Sequence, residues 1–402
     1  MTAQLYTARH YASAAVHYTA TAGLLATTAL IAPVWVIGAA AVLIGGISFA
    51  SIQSQRKIFE ENLMRHPDVS DVSPTLGKIA QDLYKASGLK ADDYPIYDFR
   101  IDESKIADKP EDVRKKLSET FNTMAEAHNA GAVNFGKPVI MISKPLLALL
   151  DEAEEKAVLA HEFAHAKARH NHLGLPQRLT AGVIGTSNGL VRFATFLSAG
   201  WVGVPVALVS GIVAARMALK HEAKKNPVPE EAAITPAARL LKKQAAARAG
   251  LVGGAVMIAV AAAFNPVYPI VYAVTKAIGA AAKFVTSAFS RSNEYQADRG
   301  AVELGANPLA LIGALRKMKA VQEISLKEAF GDALPKPGKL KAAWKNANAT
   351  HPTIPRRVAR LASIAKKKGY DEAQINAAVN SNIAIGPEHR MAPALIEKML
   401  AR

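Results

Sequence analysis

Leu150-Asp151-Glu152-Ala153-Glu154-Glu155-Lys156-Ala157-Val158-Leu159-Ala160-His161-Glu162-Phe163-Ala164-His165 is the stretch on which the reading of this chain turns. Asp151 is a good helix N-cap with Glu154 three positions on. The early acids suit the positive end of a helix, and Gly174 with Pro176 closes the pattern. The spacing therefore predicts a helix, and the acidic cluster reads as capping and not as a site. Residues four apart share a helical face, so the imidazoles of His161 and His165 can converge on one ion. Glu162 is turned about 100° from His161, where it can reach a water beside that ion. This is the H-E-x-x-H constellation of zinc sites, in which the Glu is a base and not a ligand. The pattern fixes only three positions and needs corroboration.

A second segment, Arg291-Ser292-Asn293-Glu294-Tyr295-Gln296-Ala297-Asp298, offers two carboxylates, again four apart on one face. Glu294 is the candidate third ligand, which completes a His₂Glu set for one Zn²⁺ per chain and leaves a fourth position open. Asp298 can accept the free N–H of a ligand imidazole and fix its tautomer. An ordinary helix ion pair is the plainer alternative for Asp298. The chain has no cysteine, so thiolate nucleophiles, thiolate metal sites and disulfides are excluded. His170 and His172 lie beyond the ligand face near a basic helix end and take no role.

Outward from this centre the chain reads as part membrane and part aqueous. Its 402 residues are 50% hydrophobic and 20% charged, with a mean hydropathy of +0.10. That is too apolar for disorder and too charged for a purely intramembrane bundle. Tyr18 to Ala50 carries no charge and exceeds the roughly 20 residues that span a bilayer. Pro33 leaves open one long helix or a hairpin, and the run is too long for a signal peptide's apolar core of about 7–15 residues. Two further apolar stretches, Leu179 to Met217 and Gly250 to Phe289, have candidate turns at Ser198-Ala199-Gly200 through Pro205 and at Asn265-Pro266 through Pro269. The expected organisation is an N-terminal membrane segment at 1–50, a first catalytic half at 51–178, a membrane region at 179–289 with a basic central loop at 217–249, and a second catalytic half at 290–402. Lys and Arg in that loop place it in the cytoplasm by the positive-inside rule.

The net charge of +16 suits nucleic acid or an anionic lipid surface. Lys336, Lys339, Lys341 and Lys345 around Trp344 lack the aromatic interleaving of a nucleic-acid surface, so no nucleic acid is expected and an interfacial loop is. Gly131 with Ala132, Val133, Asn134 and Phe135 precedes the strand Val139 to Ser143. It reads either as a plain hairpin or as an edge strand to which an extended polypeptide adds.

The ordered set of Asn129-Ala130, Val139-Ile140-Met141-Ile142-Ser143 with Leu146-Leu147, His161 to His165, Arg291 to Asp298, and Thr350-His351-Pro352 with Arg357 resembles the HtpX-type membrane zinc metallopeptidases. These are gluzincins, related to the CAAX prenyl proteases and OMA-type peptidases. The resemblance runs from about residue 75 to 365. It implies a mainly α membrane protein, whose zincin-like helical metallopeptidase domain with a small β-sheet is interrupted by transmembrane helices. It also implies damaged or misfolded membrane proteins as polypeptide substrates, while the positive-inside argument gives the expectation of an inner-membrane location with the site facing the cytoplasm. By motif position, His351 and Arg357 are expected to contact substrate or stabilise the oxyanion. Thr353 stands where the family usually has a second Pro, and Ala168 and Asn171 exclude the extended metzincin pattern. The stretch from Trp201 to Phe264 is longer than the family core needs. The rival readings are a zinc-stabilised membrane scaffold or chaperone-like binder without turnover, and a prenyl-protein protease.

Overall fold

The computed structural model describes residues 73–100, 103–108, 110–134, 138–168, 200–225, 236–331, 349 and 351–400. The N-terminal membrane segment, Phe135, His170, His172 and the lysines around Trp344 lie outside the described residues. The described residues divide between two compact units. One is drawn from Ser51–Leu175, Ser287–Ala329 and Pro337–Arg402, and the other chiefly from Pro176–Thr286.

The first unit opens with α1 (Leu76–Ser87), whose Leu76, Ile79 and Leu83 form a buried stripe at helical spacing. Gly88 ends it in the left-handed region at φ 74°, donating its N–H to Tyr84 O. After β1 (Ile96–Tyr97) and α2 (Glu111–Glu126) come β2 (Ala130–Asn134) and β3 (Pro138–Ile142). The sheet order is β1-β3-β2, with β1 parallel and β2 antiparallel to β3, so β2 is an edge. Ser143 N–H donates to Asn129 O at 2.9 Å. The alternation of an antiparallel ladder then turns the main-chain groups of Ala130 and Ala132 to the outer side of β2. Ser143 also caps α3 (Lys144–Leu149) through its hydroxyl.

Helix α4 (Glu152–Lys167) is the expected motif helix. Asp151 and Glu154 form a reciprocal capping box, as the spacing predicts. The acids do more than cap. Ser73 Oγ donates to both oxygens of Glu155, at 2.8 and 2.7 Å, and Glu154 pairs with Lys317 at 2.5 Å. Ala157, Val158, Leu159, Ala160, Phe163 and Ala164 are buried around its circumference, so α4 is a core helix. It packs on α1, where Tyr84 meets Phe163 edge-on at 4.9 Å, and on β2 and β3.

The second unit contains α5 (Gly200–Lys225), α6 (Pro236–Phe264) and the start of α7 (Val267–Glu303). These hold three stretches, Gly203–Lys224, Lys242–Phe264 and Val267–Glu303, long and apolar enough to cross a membrane. Helices α5 and α6 pack along each other, and at Gly211 and Gly253 the backbones nearly touch. A Cβ on Gly211 would lie 2.9 Å from Gly253 O, and one on Gly253 would lie 2.5 Å from Gly211 O. Close approach through small residues is how helices associate in lipid. Two expectations are corrected here. Pro205, read as part of a turn, lies inside α5 close to its start, where it forfeits a single intrahelical bond. The basic stretch 217–249, read as a loop, is helical to Lys225 and again from Pro236, because its Ala, Leu, Lys and Arg residues favour helix outside the Pro-containing segment. Asn265 separates α6 from α7, its side chain accepting from Val267 N–H at 3.0 Å.

Helix α7 runs on into the first unit. At Gly300 it passes so close to α4 that a Cβ would sit 2.7 Å from Ala164 Cβ, with Ala297 and Ala301 fully buried beside it. Helix α8 (Pro308–Phe330) follows and carries Lys317. Gly313 leaves room for the Glu154 carboxylate, which a Cβ there would meet at 2.6 Å. Helices α9 (Ile354–Lys367), α10 (Glu372–Asn380) and α11 (Pro393–Leu400) complete the unit. Arg316 on α8 donates to Ala378 O at 2.7 Å and Ser381 O at 2.5 Å, fastening the end of α10. The expected mainly helical chain with a small sheet and membrane-length helices is what the structure contains.

Candidate metal centre

The small-residue seam of Gly300, Ala297 and Ala164 lets α7 lie against α4, and so brings Glu294 to the two motif histidines. His161 Nε2 and His165 Nε2 are 3.1 Å apart, His161 Nε2 is 3.6 Å from Glu294 Oε2, and His165 Nε2 is 3.7 Å from Glu294 Oε1. All three residues offer donor atoms within 4.8 Å of one another, the one such group among the described residues. Ligands at about 2.0–2.2 Å around a tetrahedral zinc are separated by about 3.3 Å, so the three donors are spaced to fit that ion. The charges agree. Glu162, Glu294 and Asp298 are buried carboxylates facing one fixed cation, Arg357, which leaves the pocket suited to a divalent ion.

Asp298 Oδ1 lies 3.1 Å from His161 Nδ1, the position that turns Nε2 toward the shared centre. Burial and Arg357 oppose a charged His161, but the hydrogen bonds and charges of Asp298 and Glu294 outweigh them and raise its pKa to about 9. Arg357 is itself buried. Its Nε donates to Asp298 Oδ2 at 2.9 Å, its Nη2 to Asp298 Oδ1 at 2.5 Å, and its Nη1 lies 3.2 Å from Glu294 Oε2. Burial works against its charge, and Asp298 and Glu294 more than restore it. The sequence reading gives Arg357 to the oxyanion. In the structure its fork is taken up by the carboxylates of Asp298 and Glu294. His351, by contrast, is 70% exposed, with Nδ1 2.9 Å from Glu294 Oε1, and that hydrogen bond raises its pKa.

Burial pushes the carboxyl of Glu162 above the usual range, while a hydrogen bond from the main chain of Ala132 works the other way. That contact joins the base candidate to the outer side of the edge strand. A cavity of about 360 Å³ is lined by Ala130, Gly131 and Ala132 of β2 together with His161, Glu162, His165, Glu294, His351 and Arg357. Val133 and Asn134 continue the strand, and Phe135 lies outside the described residues. The sequence reading misses the other lining residues. Val158, Leu311, Leu315, Met318 and Ile354 also face this cavity. In the sequence their only signal is helical apolar spacing, which is shared with ordinary core.

The family model for peptidase family M48 matches residues 103–221 and 235–365, more than half the chain. Among curated proteins, a "Protease HtpX homolog" from Lactiplantibacillus plantarum is 42% identical over 83 residues, covering 20% of this chain and 28% of the relative. One from Bacteroides fragilis is 44% identical over 81 residues, covering 18% and 25%. The chain thus spans little more than a quarter of the length of the curated relatives it matches. No solved structure matches.

Proposed function

This chain belongs to peptidase family M48, and from that premise we propose that it is an integral-membrane zinc endopeptidase with a zincin-like catalytic unit. The observation that carries the reading is the convergence of His161, His165 and Glu294, with Glu162 beside them and β2 alongside. Bound zinc would act as a Lewis acid and lower the pKa of a water toward about 7. Glu162 is the residue that would accept a proton from the attacking water and return it to the leaving amine, and its raised pKa suits a group that exchanges a proton. The outward main-chain groups of Ala130 and the carbonyl of Ala132, whose N–H is taken by Glu162, hold the polypeptide extended. Asp298 and Arg357 hold the ligands in place, and His351 at the mouth donates to the oxygen on which charge develops.

Purified full-length protein is expected to contain about one zinc per chain and to cleave casein, with a chelator stopping cleavage and added Zn²⁺ restoring it. Zinc-loaded protein that leaves casein intact would indicate a scaffold, and metal-free protein that cleaves as fast would end the metal reading.

We further propose that the site faces the cytoplasm of an inner membrane and that damaged or misfolded membrane proteins are the substrates. Support comes from the cations of 216–248 and from the HtpX names of the relatives. The chain has no cysteine, so single Lys224→Cys, Lys243→Cys and Lys368→Cys variants report sidedness directly. All three are expected to resist an impermeant thiol reagent in intact cells and to react after lysis. Labelling of any one from outside would reverse the orientation of its segment.

A further inference from the structure

Helix α9 has two faces of different chemistry. Val358, Leu361 and Ala365 are buried together with Arg357, whose fork holds Asp298 and Glu294. Arg356, Arg360, Ser363 and Lys367 are exposed, and at about 100° per residue they fall within about 60° of one another, on the side away from that core. Lys366 and Lys368, also exposed, extend the basic row at its C-terminal end. Among the described residues, no ion pair joins any of these five cations to an acid. From Ala333 to Tyr370 the sequence has no Asp or Glu. Asp371, the next acid, is engaged in capping α10, and the exposed Glu372 follows it. A helix face that only has to stay in water usually mixes both signs.

The place of this row along the chain points to its partner. The Arg360 guanidinium lies over the ring of Tyr295 on α7, 4.1 Å from its centroid. The apolar run of α7 ends at Phe289, six residues before Tyr295, which is about 9 Å along the helix. The polar layer on each side of a bilayer's hydrocarbon is about 5–8 Å deep. Resting on the reading of the chain as a membrane protein, we infer that the outer face of α9, with Arg356, Arg360, Lys366 and Lys367, docks on the phosphates of anionic lipid headgroups. The negative potential of such a surface attracts Lys and Arg within a Debye length of about 8 Å at physiological salt. Helix α9 has no aromatic residue on which bases could stack, so the row is a poor match for single-stranded nucleic acid.

Ser363→Cys gives a single labelling point in the middle of the row, since the chain has no cysteine. Full-length labelled protein is placed in nanodiscs of phosphatidylcholine alone, or of an equal mixture with phosphatidylglycerol, each with a trace of lipid spin-labelled at the headgroup. Quenching of a fluorophore at this position is expected to be at least twofold greater in the anionic discs at about 0.1 M salt. At about 1 M salt, where the Debye length is about 3 Å, the difference should vanish. Arg356→Gln combined with Lys367→Gln is expected to lose the difference while zinc content and quenching in phosphatidylcholine discs stay as in the parent. Equal quenching in the two discs, or a difference that the double variant retains, overturns the docking face. An emission change on adding RNA, with none on adding phosphatidylglycerol, would make the face a nucleic-acid surface and likewise overturn it. Protein that enters neither kind of disc refutes the membrane reading and the docking with it. A protein that docks but cuts no peptide refutes only the peptidase reading.

Discussion

Replacing Glu162 with glutamine is expected to lower kcat on casein by about a hundredfold to ten-thousandfold while leaving about one zinc per chain. Glutamine keeps the shape and the acceptor oxygen, so the contact with Ala132 and the packing around a residue only 7% exposed survive. What it removes is the capacity to take a proton. Glu162 is not among the three convergent ligands, so metal content and peptidase activity should separate in this variant. Zinc analysis and kcat on one detergent-purified sample read both. Undiminished kcat with full zinc would take the base role from Glu162.

Glu294→Ala and Arg357→Ala should form a graded pair. Loss of Glu294 leaves two protein ligands, and zinc affinity is expected to fall by well over a hundredfold, with activity lost in step. Arg357 touches the site from behind, gripping Asp298 through two nitrogens and Glu294 through a third. Its removal is expected to cost about 10–100-fold in zinc affinity, the usual effect of losing a group that orients ligands. Lysine should restore little, because a single ammonium cannot span both carboxylates. Competition with a chromophoric chelator gives the affinities. If Arg357→Ala bound zinc as tightly as the parent and lost only kcat, the oxyanion role expected from its motif position would stand and the positioning role would fall.

The part of the site that was legible in the sequence is the part whose geometry is local. Helix periodicity puts His161 beside His165 and Glu294 beside Asp298 in any helix, and the Asp151–Glu154 cap needs only four residues. What was illegible depends on two helices meeting. Gly300 is an ordinary helical glycine until Ala164 is known to lie against it. Arg357 reads by motif position as a donor to substrate, and nothing local in the sequence shows that its fork also meets the two carboxylates of α7. Leu311 and Leu315 read as core, which their burial supports, and only the structure shows that they also line the cavity at His161. The basic stretch 217–249 misled for a related reason. Charge marks solvent exposure, and an exposed stretch of Ala, Lys and Arg is as good a helix as a buried one.

The path of α7 also bears on when the candidate metal centre can assemble during synthesis. The ribosome releases His161, Glu162 and His165 well before Glu294, and everything in α5, α6 and the first half of α7 is made in between. A nascent chain that carries the histidine motif alone has two ligands and no Asp298 to set the tautomer of His161. Arg357 comes later still. The His161, His165 and Glu294 group therefore cannot come together until the membrane-length helices and the whole of α7 have been translated. The order of residues along the chain thus makes assembly of the His161, His165 and Glu294 group a late event in synthesis, after the membrane-length helices have been made.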